Sequence, residues 1–107
     1  MRVSLRETVT EEQVNVAMLE AGGPRLELLE ATEPDSVVGQ FLEKRGEGLH
    51  HVALRVPDLS GTLERLRAGG ARLLGEPRTG AGGHQYVFVH PASTGGVLLE
   101  LIQHEER

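Results

Sequence analysis

The chain of 107 residues has no cysteine and no tryptophan, and its only other aromatic residues are two phenylalanines and one tyrosine. The absence of cysteine excludes disulfide bonds, thiolate nucleophiles and cysteine metal ligands. Any metal ion must therefore be held by imidazole and carboxylate groups. With so few aromatic side chains, leucine and valine must fill most of the core.

The sequence also lacks basic runs and long apolar runs. Its formal net charge of -5 argues against non-specific nucleic-acid binding, so no nucleic-acid partner is expected. No signal peptide or apolar run of membrane length is recognisable, which predicts a cytoplasmic protein without a membrane partner. An apolar content of 38% and a charged content of 25% are typical of a globular protein of one domain.

The most informative stretch is the apolar run at residues 95–103, which predicts a strand buried on both faces. Glu100 lies within it, between Leu99 and Leu101. An unpaired carboxylate is costly to bury, so Glu100 must be paired, protonated or bound to a cation. An arginine such as Arg55 could be its partner, but our working hypothesis is a bound cation.

The hydrophobic pattern of the second half of the chain predicts the order β-α-β-β-β, and the first half contains three strands. A short helix that opens at residues 34–36 connects the halves, with a proline suited to its first turn. Apolar residues define the buried face of each helix. The strands are predicted at 3–9, 14–18, 25–29, 50–56, 71–74, 85–89 and 97–103, and the helix faces comprise Val37, Val38, Phe41 and Leu42, and then Leu59, Leu63 and Leu66 after Asp58.

Two segments repeat at an offset of 73 positions. Residues 22–29 resemble residues 95–102, which places Glu27 and Glu100 at equivalent strand positions. The second half has a histidine-bearing strand and a helix before its three strands, whereas the first half begins without them.

Strand alternation predicts on which side of its strand the His51 side chain lies. His51, Ala53 and Arg55 would share one side of their strand, and the apolar residues between them would share the side that meets the helix. His51 is therefore predicted on the concave side, as a candidate ligand. His50 is predicted to point the other way and to be structural.

Three stretches together resemble the vicinal oxygen chelate superfamily, and within it the methylmalonyl-CoA epimerase family. They are residues 41–53 (FLEKRGEGLHHVA), 77–83 (PRTGAGG) and 90–101 (HPASTGGVLLEL), while residues 10–14 and 26–29 match weakly. The resemblance implies an α+β fold of paired βαβββ modules that form a curved mixed sheet, with the first module incomplete.

The resemblance also implies a division of the single domain at residues 1–107. Residues 1–30 would form the partial first module, residues 31–48 the connector helix and residues 49–107 the complete second module.

The resemblance implies an isomerase that interconverts (2R)- and (2S)-methylmalonyl-CoA on a divalent metal ion. The family's metal ligands map to Glu27, His51 and Glu100, and the fourth ligand, a histidine on the opening strand, has no counterpart here. The metal would stabilise the enolate formed when the proton alpha to the thioester is removed. Glu12 and Glu100 would exchange that proton. Co²⁺ is favoured, although Zn²⁺, Mn²⁺ or Ni²⁺ would suit the same ligands.

Other interpretations remain open. Glu27 could pair with Arg25, Glu12 could be a solvated charge, and the glycine-rich loop at residues 80–83 could either close over an acyl-CoA or form a turn. The alternative functions are a glyoxalase-like isomerase or lyase, and a non-catalytic module that binds a small ligand or CoA because one ligand is missing. An open strand edge where the missing strand belongs would favour a homodimer.

Overall fold

The structure is a computed structural model that describes residues 1–80 and 83–104. The chain divides into two compact units, Met1–Gly48 and Leu49–Arg107. Residues 81 and 82 of the glycine-rich loop lie outside the described residues. The prediction that this loop closes over a ligand falls on these residues.

The first unit contains a three-stranded antiparallel sheet and one helix. Its strands are β1 (Arg2–Val9), β2 (Val14–Glu20) and β3 (Arg25–Ala31), and β2 lies between the other two. The 3-10 turn Thr10–Glu12 joins β1 to β2, and helix α1 (Val37–Arg45) follows β3. The three predicted strands and the connector helix are confirmed, each strand being longer than its apolar pattern.

Ser36 caps the N-terminus of helix α1, and its hydroxyl accepts a hydrogen bond from Gly39 N at 3.0 Å. The predicted apolar face is only partly correct. Val38 and Phe41 are half-buried, but Val37 is 71% exposed and Leu42 is also exposed. The buried side of α1 is instead centred on Gly39, because close contact with the preceding turn leaves no room for a side chain there.

The second unit has the predicted β-α-β-β-β order and forms one four-stranded sheet. In this sheet the first and last strands are parallel neighbours, which the intervening helix makes possible. The sheet order is β4-β7-β6-β5, with the other two pairs antiparallel. The elements are β4 (Val52–Val56), α2 (Leu59–Ala68), β5 (Leu73–Thr79), β6 (Gln85–Val89) and β7 (Leu99–Gln103).

The core of the second unit lies between α2 and one face of this sheet. Leu59 and Leu63 of the helix are buried, as the spacing predicts, and Leu66 packs beside them. The buried sheet residues that they cover are Val87, Val89 and Leu101. Each of these side chains contributes about 1.5–3 kcal/mol by its burial. The α+β fold is therefore confirmed, with the predicted β-α-β-β-β order in the second unit.

The last strand is shorter and less buried than its apolar sequence predicts. It begins at Leu99 instead of Val97, and among its residues only Leu101 is fully buried. Residues 94–96 form a turn in which Gly96 N donates to Pro91 O at 2.8 Å, and the Thr94 hydroxyl donates to Val97 O. Residues 97 and 98 are not in strand conformation. The predicted burial on both faces was therefore wrong for residues 95–97, which are exposed, and the predicted strand was wrong for residues 97 and 98.

Among the described residues, no helix is both long enough and apolar enough to cross a lipid bilayer. The cytoplasmic location stays a prediction from the sequence.

Candidate functional site

Glu100 is the second residue of β7, a strand that pairs on both sides. Its neighbours are Ala53 on β4, in the parallel register, and Phe88 on β6, in the antiparallel register. Residues paired across adjacent strands share a face, so all three lie on the side opposite the α2-covered core. The Glu100 side chain is 18% exposed. A carboxylate is thus presented on a sheet face beside a methyl group and an aromatic ring.

His51 brings an imidazole to the same carboxylate. It lies one residue before β4, where Val52 N donates to Leu98 O at 3.0 Å and anchors the chain next to β7. His51 Nε2 is 3.4 Å from Glu100 Oε1, and the His51 side chain is 23% exposed. The contact brings together two of the predicted ligands, His51 and Glu100.

The distance between the two donor atoms suits a shared cation. Imidazole nitrogen and carboxylate oxygen bind ions such as Zn²⁺ at about 2.0–2.2 Å, so two ligands at 90–110° are separated by roughly 3.0–3.4 Å. The 3.4 Å between His51 Nε2 and Glu100 Oε1 falls in this interval. It exceeds the usual N–H···O hydrogen-bond distance of about 2.7–3.2 Å. The separation therefore suits either a shared cation or an ion pair between the two side chains.

His50 is the residue whose orientation the sequence predicted wrongly. Its Nδ1 lies 2.9 Å from His51 Nδ1, with the two rings at 82° to each other. Alternation failed because β4 begins only at Val52, so residues 50 and 51 are not in strand conformation. Burial, and then the charge of His51, lower the pKa of His50 from its ordinary value of 6.5.

Two aromatic residues near the pair were not singled out from the sequence. The Phe88 ring packs edge-on against the His51 ring at 5.9 Å, and Tyr86 packs similarly against Phe88 at 6.0 Å. The signal was available, since Tyr86 and Phe88 alternate with the buried valines of β6 and so had to share the opposite face. They give the site a half-buried apolar wall.

The alternative partner of Glu100 does not occur. In the part of the chain that the structure describes, the ion-pair contact of Glu100 is with His51 and not with Arg55. In the parallel pairing of β4 with β7, the main chain of Arg55 lies opposite Ile102, two residues further along the strands than Ala53 and Glu100.

The other two predicted site residues lie in the first unit. Glu27 is an exposed residue of β3, opposite Met18. Among the ion pairs of the described residues, Arg25 contacts Glu20 at 3.5 Å and not Glu27, so the proposed alternative pairing was wrong. Glu12 is exposed at the end of the 3-10 turn.

The backbone around Glu12 is held on both sides. The next residue, Gln13, has a left-handed φ of 55°. Its amide donates to Thr10 O at 3.1 Å, and its carbonyl accepts from Thr32 N at 2.8 Å. A left-handed conformation at a residue other than glycine costs about 1–3 kcal/mol and persists where neighbouring contacts impose it. The turn therefore presents Glu12 in one defined orientation of the main chain.

The structure brings together two of the three predicted metal ligands. Within residues 1–80 and 83–104, no group of three or more histidine, aspartate and glutamate side chains is close enough to hold an ion. The candidate centre consists of His51 and Glu100, and ligation by Glu27 stays a prediction. His90 has a structural role, since its Nδ1 accepts from Ala92 N at 2.9 Å and caps the short helix Pro91–Ser93.

A groove of about 520 Å³ lies on the sheet of the first unit. Arg6, Thr8, Asn15, Leu28 and Glu30 are among its lining residues, and none of the predicted site residues lines it. Its size alone does not make it the reaction site.

The family follows from a match of residues 1–88 to the model of the Glyoxalase/Bleomycin resistance protein/Dioxygenase superfamily. The chain belongs to this superfamily, whose members include the vicinal oxygen chelate proteins that the sequence resembles. The match spans both units.

Two relatives of similar sequence indicate which members of the superfamily the chain resembles. The chain is 46% identical over 99 residues to the uncharacterized protein YqjC of Bacillus subtilis, covering 92% of this chain and 71% of YqjC. It is 38% identical over 93 residues to the ethylmalonyl-CoA/methylmalonyl-CoA epimerase of Cereibacter sphaeroides, covering 84% of this chain and 69% of that protein.

A solved structure agrees in both fold and sequence. A variant of Streptomyces coelicolor methylmalonyl-CoA epimerase, in complex with 2-nitronate-propionyl-CoA, matches with a TM-score of 0.78 at 38% identity. The match covers 98% of this chain and 80% of that structure. These relatives confirm the resemblance to the epimerases, and with it the class of enzyme, an epimerase-like isomerase.

Proposed function

We propose that this protein is a methylmalonyl-CoA epimerase, which interconverts the (2R) and (2S) epimers by removing and returning the proton alpha to the thioester. One observation carries the proposal. His51 Nε2 and Glu100 Oε1 lie 3.4 Å apart on an aromatic-lined sheet face, in a chain 38% identical to a named epimerase. Loss of the alpha proton gives an enolate, whose charge needs stabilisation beside an otherwise apolar wall.

His51 and Glu100 would hold the divalent cation, with Glu27 as the proposed third ligand. The ion, when bound, polarises the thioester carbonyl and so makes the alpha proton more acidic. Co²⁺ is the favoured ion, and Zn²⁺, Mn²⁺ and Ni²⁺ also suit imidazole and carboxylate ligands. The Phe88 ring packs against the His51 imidazole, and charge interactions are stronger beside such apolar surface than in water.

Epimerisation needs an acid and a base on opposite faces of the reacting carbon. Glu100 is one proposed group, since one of its oxygens faces His51 and a carboxylate has a second oxygen for proton transfer. Glu12 is the other, and the anchored main chain of its turn supports a fixed role. Each carboxylate would deprotonate one epimer, and the other group, in its acid form, would return a proton to the opposite face of the enolate to give the second epimer.

We further propose one vicinal oxygen chelate domain over residues 1–107, which associates as a homodimer. Among the described residues, β3 pairs on one side only. Leu26 and Leu28 correspond to Leu99 and Leu101 by the 73-position repeat, yet Leu28 is 57% exposed where Leu101 is 3% exposed. An unpaired edge with exposed leucines favours association. Light scattering after size-exclusion chromatography tests this, and a monomer at high concentration would contradict it.

The decisive experiment is deuterium uptake at C2 of methylmalonyl-CoA in heavy water, with each epimer supplied separately. The wild-type protein loaded with Co²⁺ should exchange and invert both epimers. Glu100→Gln should lose at least about 100-fold in rate, because general acid–base catalysis contributes about 10²–10⁴-fold. Glu64→Gln, on the exposed side of α2, is the matched control and should keep the wild-type rate.

Glu12→Gln distinguishes two-carboxylate chemistry from a single group. If Glu100 remains competent, this variant should still exchange the proton of one epimer while inverting neither. If the exchange rate falls equally for both epimers, Glu12 does not act on a single face of the reacting carbon.

The alternatives give different results in the same assays. CoA binding that is unaffected by chelator and by Glu100→Gln, without deuterium uptake, would identify a non-catalytic binding module. Turnover of a hemithioacetal without action on the acyl-CoA would identify a glyoxalase-like isomerase or lyase.

A further inference from the structure

Two neighbouring rows of side chains cross the sheet face of the second unit that α2 does not cover. One row contains Glu100 and Phe88, which are paired between β7 and β6. The next row lies two residues further along each strand, about 6.4–6.8 Å away, and consists of Ile102, Tyr86 and Arg78. Since residues paired across adjacent strands share a face, an arginine and a tyrosine lie on the same side of the sheet as Glu100.

A β-bulge places Arg78 opposite Tyr86. The pairing of β5 with β6 shifts between Leu74 and Arg78, so that four residues of β5 advance as far as two residues of β6. Gly75 accommodates the shift with a φ of 87°, and Pro77 lies on an edge strand, where a missing amide hydrogen is tolerated. Bulges redirect side chains and are common beside functional sites. The bulge therefore gives Arg78 a defined position in the row.

The Tyr86 side chain is held from two sides. Its ring packs edge-on against Phe88 at 6.0 Å. A Cβ built at Gly80 would lie 3.1 Å from Tyr86 Cε1, so the lack of a side chain there lets the main chain lie against the ring. Among the described residues the Tyr86 hydroxyl makes no hydrogen bond and is not a buried unpaired atom, so a ligand can reach it. Tyr86 is thus a donor fixed in position before a ligand binds.

The charge of Arg78 is also available to a ligand. The ion pairs in the described part of the chain use Arg25, His51 and Arg67, and Arg78 is exposed. A guanidinium binds the two oxygens of a carboxylate with two parallel hydrogen bonds, which a single positive charge does not reproduce. With the Tyr86 hydroxyl as a third donor, this pair suits a carboxylate of the ligand.

We propose that Arg78 and Tyr86 are specificity-determining residues that bind the free carboxylate of the acyl group. The inference rests on the proposed function, because in a methylmalonyl thioester this carboxylate is attached to the carbon that would lose its proton beside Glu100. Holding the carboxylate keeps the planar enolate in one place while both of its faces stay accessible to a proton. Thioesters with a carboxylate on this carbon are therefore selected over neutral thioesters.

The test is calorimetric binding of methylmalonyl-CoA and of propionyl-CoA, which has the same acyl group without the carboxylate. The wild type should bind methylmalonyl-CoA about 10–100-fold more tightly, as expected for hydrogen bonds to a charged group. Arg78→Gln should reduce this ratio by about tenfold and Tyr86→Phe by about 3–10-fold, with propionyl-CoA binding unchanged in both. Arg78→Lys should lie between Arg78→Gln and the wild type, because lysine keeps the charge and loses the paired hydrogen bonds.

Two further arginines provide the controls. Arg65→Gln, at an exposed position of α2, should keep the wild-type ratio. Arg55 lies in the same row as Arg78, beyond Ile102 on β4, and reports on the general positive charge of this face. Arg55→Gln should therefore reduce the ratio less than Arg78→Gln does. Circular dichroism and the thermal midpoint establish that each variant is folded.

Three outcomes would overturn the inference. Equal weakening of both thioesters in Arg78→Gln would mean that Arg78 binds the phosphates of CoA. An equal loss of the ratio in Arg55→Gln would mean that the carboxylate responds only to the charge of the face. An unchanged ratio in Arg78→Gln, in a protein that exchanges the alpha proton, would overturn this inference and leave the proposed function standing.

The converse result is equally distinct, because binding does not require turnover. A ratio that depends on Arg78 and Tyr86 in a protein without deuterium uptake would support the inference and overturn the proposed activity. If the wild type binds neither thioester, both are overturned.

Discussion

Glu100 Oε1 faces His51 Nε2 at 3.4 Å, and the Glu100 side chain has lost most of its contact with water. Removing one partner of a buried ion pair is destabilising when it leaves the other charge buried and unpaired, and that cost is avoided when the remaining group becomes neutral. Histidine can do so near pH 7. We therefore infer that Glu100 contributes to cation binding and not to the stability of the cation-free protein.

We expect Glu100→Leu to raise the stability of the cation-free protein by about 0.5–1.5 kcal/mol and to abolish any stabilisation by Co²⁺ or Zn²⁺. Urea unfolding with chelator and with each ion measures both effects. Glu64→Leu, an exposed substitution on α2, should change neither. A large loss of stability in Glu100→Leu would show that the carboxylate is needed for the fold itself.

The lowered pKa of His50 predicts that the stability of the cation-free protein, measured with chelator present, depends on pH. Burial and the neighbouring His51 hold the pKa of His50 below its ordinary 6.5, so the unfolded chain binds more protons than the folded protein just below pH 6.5. Stability therefore falls as the pH is lowered from 6.5 through the pKa of the folded state. The facing groups are His51 and, beyond it, Glu100.

His50→Gln should remove this contribution, because glutamine does not titrate. Unfolding free energies between pH 7.5 and pH 5 should decline less steeply in His50→Gln than in the wild type. His104→Gln, at an exposed position, should retain the wild-type slope. Identical slopes for His50→Gln and the wild type would mean that the pKa of His50 is not lowered by folding.

Much of the fold could be predicted from local pattern. Strand alternation and the spacing of Leu59, Leu63 and Leu66 identified the elements of the second unit, because each element buries one face. The repeat placed Glu27 and Glu100 at equivalent positions of β3 and β7. These signals depend on periodicity, which a single sequence displays directly.

The site was less predictable because it depends on where strands begin and on which residues become neighbours. His50 was assigned to the wrong side because β4 begins at Val52, and element boundaries are weakly encoded in composition. Arg55 was an equally reasonable partner for Glu100 until the parallel register placed it opposite Ile102. Pairing between β4 and β7 joins distant parts of the chain, and no local pattern fixes it.

Gln103 illustrates a contact that the sequence did not reveal. At the end of β7, its Oε1 accepts from Leu59 N at 2.8 Å, and its Nε2 donates to Pro57 O at 2.8 Å and to His104 O at 2.9 Å. It thus satisfies main-chain groups at the first turn of α2. Gln103→Leu should destabilise the protein by about 1–3 kcal/mol, since it leaves these groups unpaired. Urea unfolding measures the loss.

Gln85→Leu is the matched control, because Gln85 is exposed at the start of β6 and has the same side chain. It should change stability by less than about 0.5 kcal/mol. If both substitutions have the same small effect, water replaces the Gln103 hydrogen bonds without cost.

Gly39 provides a test of close packing in the first unit. A Cβ built there would lie 2.5 Å from Pro34 O and 2.6 Å from Glu33 O, both main-chain atoms that cannot rotate away. In an open helix position, Gly→Ala should stabilise by about 0.8–1 kcal/mol. At Gly39 the sign should reverse, because overpacking costs about 1–3 kcal/mol. A Cβ at Gly48 would meet nothing within 4 Å, so Gly48→Ala should be near neutral. If thermal unfolding shows Gly39→Ala to be as stable as Gly48→Ala or more so, the turn before α1 does not press against the helix as described.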